Sequence, residues 1–170
     1  MSIPNLEIKI GIDIGGVIIA QDTDDPDLFF TDSFLRAEPF ENCFKTITRL
    51  VKNFGSENIF IISKCGEKVQ KKSREWLEYK DFFRFTGFNP DHLNFCLERH
   101  EKAGIAQTLH LTHFIDDRYS VLKYMVDLPL IERLILFCPN DTEKEASRSN
   151  SNDKILEVDS WEEVGRVLLL

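Results

Sequence analysis

The chain has 170 residues, of which 42% are hydrophobic and 29% charged, with a formal net charge of −8. This length suits one domain, 1–170, with a sizeable core, and the acidic balance argues against a nucleic-acid backbone partner, which needs a basic face. Four scattered cysteines without a CxxC pair argue against a structural zinc site and a disulfide framework. The N-terminus lacks the basic region and apolar run of a signal peptide. No stretch approaches the ~20 apolar residues of a membrane span, so a cytoplasmic protein with no membrane association is expected.

In chain order, the β-branched stretch 6–12 predicts a first strand. Residues 22–38 read as a small acidic insertion, opening with Asp22, Asp24, Asp25 and Asp27. Phe40, Phe44, Ile47, Leu50, Val51 and Phe54 have helical spacing, and Gly55 is a suitable stop. A short apolar strand over 58–62 leads to Ser63, followed by a polar helix over 66–79 with Val69, Trp76 and Leu77 as its buried stripe. A brief strand at 93–96, a helix over 98–109 and a strand over 111–115 bring the chain to Asp116. A helix over 119–126 and a strand over 133–138 follow. Residues 140–153 are polar with no apolar anchor and read as a mobile loop. A last strand over 154–158 precedes a helix opened by Ser160, with Glu163 three residues on as a capping box.

Alternating strands and helices predict an α/β fold: a three-layer Rossmann-like parallel sheet with helices on both faces. Ligands of such sheets bind at the carboxyl ends of strands, where strand order reverses. Asp13, Ser63, Asp116 and Asp117 all fall where strands should end. A strand-end carboxylate can attack phosphorus, provided that the phosphoryl oxygens find donors, a fixed positive charge and a divalent cation. Asp13 is the candidate nucleophile. Gly15 and Gly16 allow a phosphate to approach the backbone closely, Ser63 offers a hydroxyl, Lys102 a positive charge, and Asp116 and Asp117 hard oxygens suited to Mg2+. Each has a plainer use: Ser63 as a helix cap, Lys102 as a solvated helix lysine, Asp116 and Asp117 as caps of the next helix.

DIGGV at 13–17, IIS at 61–63, Lys102 and FIDD at 114–117 resemble, in order, the four motifs of the haloacid dehalogenase (HAD) superfamily, and the resemblance spans about residues 8–126. It implies a Rossmann-like fold and a Mg2+-dependent phosphatase acting on a phosphorylated substrate, small or macromolecular. Asp13 would be the nucleophile and a metal ligand, and Ser63 would bind the phosphoryl group. Lys102 would steady both, Gly15 would ligate the metal through its carbonyl, and Asp117 with Asp116 would complete the site.

The first motif departs from the family pattern DxDx(T/V), because Gly15 replaces the second aspartate, which protonates the leaving group. A general acid is typically worth ~10²–10⁴-fold. Three readings stay open: a substrate with a good leaving group, a proton from the acidic loop or from His92, His100, His110 or His113, or a module that binds phosphorylated ligands or proteins without turnover. The spacings leave no room for a large cap. The acidic loop with Phe29 and Phe30 reads as a partial lid or a plain surface loop.

Overall fold

The computed structural model describes residues 7–169. Its short apolar runs form β1 (Ile10–Ile12), β2 (Ile59–Lys64), β3 (Leu93–Cys96), β4 (His113–Asp116), β5 (Arg133–Phe137) and β6 (Ile155–Val158). They make one sheet in the order β3-β2-β1-β4-β5-β6, with every pairing parallel. Alternation within a strand feeds two cores. Ile59 and Ile61 face one, and Phe60 and Ile62 face the other. The strands are therefore apolar throughout, as expected of a sheet covered on both sides.

The first core is closed by α1 (Cys43–Phe54), α2 (Glu67–Tyr79), α3 (Phe82–Thr86) and α7 (Trp161–Leu168), through side chains such as Ile47, Trp76, Phe82 and Trp161. The second is closed by α4 (Glu101–Thr108) and α5 (Tyr119–Leu122), with Ala106, Val121 and Leu122 inside. The three-layer Rossmann-like architecture expected of the sequence is thus the observed one. No helix of the described residues is long and apolar enough to cross a membrane.

Several details differ from expectation. The first strand begins at Ile10; residue 6 of the expected span lies outside the described residues. The helix after β4 is only Tyr119–Leu122 and continues as turns, and α3 was not expected at all. The main correction concerns 140–153, which is not a loop: Asp141–Ser149 form a helix, α6. Its anchor is polar. The Asn140 side chain caps it by accepting from the Glu143 N–H at 2.9 Å, and the Glu143 carboxylate is buried against Ser120.

The acidic insertion is tied down more firmly than its composition suggests. It contains two 3-10 turns, Leu28–Phe30 and Phe34–Arg36, and buries Leu28 and Phe34. Two buried indoles pin its flanks: Trp76 donates to the Ala37 carbonyl at 2.9 Å and Trp161 to that of Val17 at 2.8 Å. The Lys72 ammonium reaches the Thr31 carbonyl at 2.9 Å.

Candidate active site

Strand order reverses around β1, whose partners β2 and β4 depart to opposite edges of the sheet. Ile12 is in register with both Ile61 and Ile115. Asp13, Ser63 and Asp116 therefore emerge at nearly one level, beside a cleft of about 470 Å³. Asp13, Gly15, Gly16, Ser63, Lys102 and Asp117 all line it.

Lys102 lies in the first turn of α4 and is almost fully buried. It is not a solvated helix lysine. Its Nζ donates to Asp13 Oδ1 at 3.0 Å and to Asp116 Oδ2 at 2.8 Å. Burial works against its charge, but the two carboxylates outweigh burial and raise its pKa above the ordinary lysine value. Asp116 spends its other oxygen on the Arg118 N–H, at 3.0 Å. Both its oxygens are therefore engaged, and it serves first to hold Lys102. Ser63 is buried and is not the cap of α2, whose N-cap is Gly66.

Asp117 is different. Its Oδ1 is buried without a hydrogen-bond partner. Burial, followed by the charges of Asp13 and Asp116, pushes the Asp117 carboxyl up to about 8. Burial, with Asp116 adding, raises Asp13 to about 6, against the opposing pull of Lys102. One oxygen each from Asp13, Asp116 and Asp117 lie within 4.8 Å of one another. Three carboxylates facing one ammonium leave two formal negative charges, which matches a divalent cation, and an all-oxygen donor set suits Mg2+.

The two glycines act differently from each other. Gly16 has φ +77°, and a Cβ there would run into the Asp117 carboxylate. Its N–H donates to the Ile19 carbonyl at 3.0 Å, so, contrary to the expectation that both glycines serve a phosphate, this amide is not free for one. Gly16 makes room for Asp117. At Gly15 the N–H and carbonyl have no backbone partner among the described residues, and a Cβ would meet nothing within 4 Å. Position 15 thus keeps a carbonyl for a metal and an amide for an anion, but no proton donor.

No further carboxyl or imidazole lines the cleft to take the place of the missing aspartate. Asp13 and Asp117 are its only carboxylates among the described residues, and no histidine reaches it. His92 stacks on Phe60 and contacts the Ile59 carbonyl, at the opposite end of β2. His113 opens β4 and contacts Thr112, and burial lowers its pKa. His110 lines a separate hollow with Leu111 and Leu128, and His100 lies beside Tyr124 at the start of α4. Asp22 folds back on its own loop, accepting from the N–H groups of Asp24 and Asp25. Cys65 does line the cleft, but burial raises its thiol pKa, further from the near-neutral value that suits a general acid.

Phe29 and Phe30 form part of the wall. Three further lining residues, Lys64, Arg99 and Arg118, are not among those that the sequence singles out. Isolated basic residues in polar stretches carry no periodic signal, and only the folded sheet brings these three together.

No family model and no curated relative matches the sequence. Solved structures do match the fold. D,D-heptose 1,7-bisphosphate phosphatase from B. bronchiseptica, complexed with magnesium and phosphate, superposes with a TM-score of 0.63 at 11% identity, over 95% of this chain and 98% of that one. The D,D-heptose 1,7-bisphosphate phosphatase from Burkholderia Thailandensis gives a TM-score of 0.61, with the same identity and coverage. The Rossmann-like α/β fold is shared with these phosphatases, and the described residues form no large cap.

Proposed function

We propose that this chain is a Mg2+-dependent phosphatase that forms an aspartyl-phosphate on Asp13. The observation that carries this reading is the Asp13–Lys102–Asp116 clamp beside the unpartnered oxygen of Asp117, at the strand-order reversal of the sheet. The fold shared with phosphatases, one of them complexed with magnesium and phosphate, supports it. Asp13, Asp117 and the Gly15 carbonyl would hold the ion, with Asp116 behind them. When bound, it supplies positive charge to the phosphoryl oxygens and to the attacking carboxylate.

The chain's own groups account for the rest. Lys102 engages Asp13 Oδ1, which leaves Oδ2 to attack phosphorus. The bond from phosphorus to the leaving oxygen breaks, and its electron pair stays on that oxygen. Ser63 Oγ and the Gly15 N–H donate to the phosphoryl oxygens. Water then attacks phosphorus, the bond to Asp13 breaks, and inorganic phosphate and the carboxylate are restored. With no carboxyl at position 15, and no carboxyl or imidazole on the cleft besides the nucleophile Asp13 and the metal-holding Asp117, the leaving oxygen must be stable as an anion. Acyl phosphates and phosphoanhydrides meet that demand. The apolar wall of Phe29 and Phe30 acts as the partial lid over the leaving portion.

The test is phosphate release from acyl phosphates, nucleotides and p-nitrophenyl phosphate with Mg2+, comparing wild type with Asp13→Asn. Turnover that requires both the metal and Asp13, fastest for acyl phosphates, is expected. Turnover unaffected by Asp13→Asn, or none on any compound, would overturn the reading.

A further inference from the structure

We infer that the substrate carries a second anionic group, a carboxylate or a further phosphate, on the portion that leaves, and that Arg99 binds it. This rests on the phosphatase reading above.

Arg99 lies between β3 and α4, is half-buried and lines the cleft alongside Lys102 and Arg118. Its guanidinium is held from behind by a relay across two other elements. Arg99 Nη1 donates to Ser120 Oγ at 3.2 Å, on α5. Ser120 Oγ in turn donates to Glu143 Oε1 at 2.9 Å, and the Ser120 N–H donates to Glu143 Oε2 at 3.0 Å. The hydroxyl thus has one orientation: its proton goes to Glu143, and its lone pair faces Arg99. Glu143 is fixed on α6 and buried. Burying a carboxylate is costly unless its oxygens are satisfied, and here both oxygens are spent on orienting a single serine.

One of the five guanidinium N–H donors is used in this way, leaving a planar fork suited to a carboxylate or phosphate. Lys64 and Arg118 line the same cleft. Among the described residues none of the three cations forms an ion pair, although acidic residues number 29 against 21 lysines and arginines. The transferred phosphoryl group already has Lys102, Ser63 and the Gly15 amide. Lys64 and Arg118 are exposed to solvent, whereas Arg99 is half-buried and held in place, so it alone among the three is preorganised to bind a different anion.

The experiment measures binding, by calorimetry with Mg2+, to the full chain carrying Asp13→Asn to block turnover. Three probes share one scaffold: phenyl phosphate, 4-carboxyphenyl phosphate and 1,4-phenylene bisphosphate. At least one doubly anionic probe is expected to bind about tenfold or more tighter than phenyl phosphate, the gain of a charge-assisted hydrogen-bond pair, and which one wins identifies the second group. Adding Arg99→Gln should cut that preference to below about threefold. Arg99→Lys, which keeps the charge and loses the fork, should give an intermediate preference. Glu143 acts as a positioning residue, so Glu143→Gln should reduce the preference too, whereas a purely structural role would weaken all three probes alike. Equal affinity for the three probes, or a preference unchanged by Arg99→Gln, would overturn the inference while leaving the phosphatase reading intact. Failure of all three probes to bind, to the wild-type chain as well as to Asp13→Asn, would overturn both.

Discussion

A side chain at position 15 finds open space, while one at position 16 collides with Asp117. An acid can therefore be restored at the first site without disturbing the second. Gly15→Asp is expected to raise phosphate release from an aryl phosphate with a poor leaving group, by up to the ~10²–10⁴-fold that a general acid typically supplies. A folded variant no faster than wild type would refute the account of why monoesters are poor substrates. Lys102 poses the opposite case, because it is the single buried cation between Asp13 and Asp116. Lys102→Met leaves both carboxylates buried without it, and breaking such a pair typically costs about 3–5 kcal/mol. Urea unfolding should show that loss, and Asp13→Asn in the same chain should recover part of it, since the two sites share one interaction. A Lys102→Met protein as stable as wild type would mean that the clamp does not bear on folding.

At the level of elements, the strands were legible because short, β-branched apolar runs such as IFII, alternating with helical patterns, fit a sheet covered on both faces, and their ends located Asp13, Ser63 and Asp116. Two helices show where that reading stops. The apolar residues of α4 do not gather into one strong stripe, so nothing in EKAGIAQT says that Lys102 points inward. Its burial follows from the neighbouring carboxylates, which are far away in sequence. DTEKEASRS has almost no apolar residue, yet it folds as α6 because Asn140 caps it and Glu143 satisfies Ser120. Hydrogen bonds between distant segments leave no periodic trace, and Arg99 stayed hidden for the same reason. The cap can be weighed directly: Asn140→Ala should cost about 1 kcal/mol. Its amide protons over Asp141–Ser149 should exchange faster than those of wild type, while the strands keep their protection. Unchanged exchange there would mean that Glu143 alone holds the helix.

For the whole molecule, the charge imbalance of the site couples folding to both pH and metal. The carboxyls of Asp13, raised to about 6, and Asp117, raised to about 8, both start from an ordinary value of 3.8. Between that value and each raised one, the folded chain holds protons that the unfolded chain has released. Stability is then greatest at the acid end of this window and falls as pH rises through it, levelling off above about 8 as far as these two groups are concerned. A divalent cation stabilises the same carboxylates in their charged form, and a ligand that binds only the folded state adds stability in proportion to the logarithm of its concentration over Kd. Proton and metal compete for one site. Thermal unfolding of the metal-free protein should give a lower Tm at pH 8 than at pH 5, and Mg2+ should raise Tm more at pH 8 than at pH 5. Asp13→Asn with Asp117→Asn removes both titrating groups, so the variant's pH dependence should flatten and its response to Mg2+ should vanish. If the variant keeps the full slope, the pH dependence comes from the surface acids of a chain with net charge −8. If Mg2+ shifts Tm equally at both pH values, the cation does not share its site with these protons, and the three-carboxylate cluster is not where it binds.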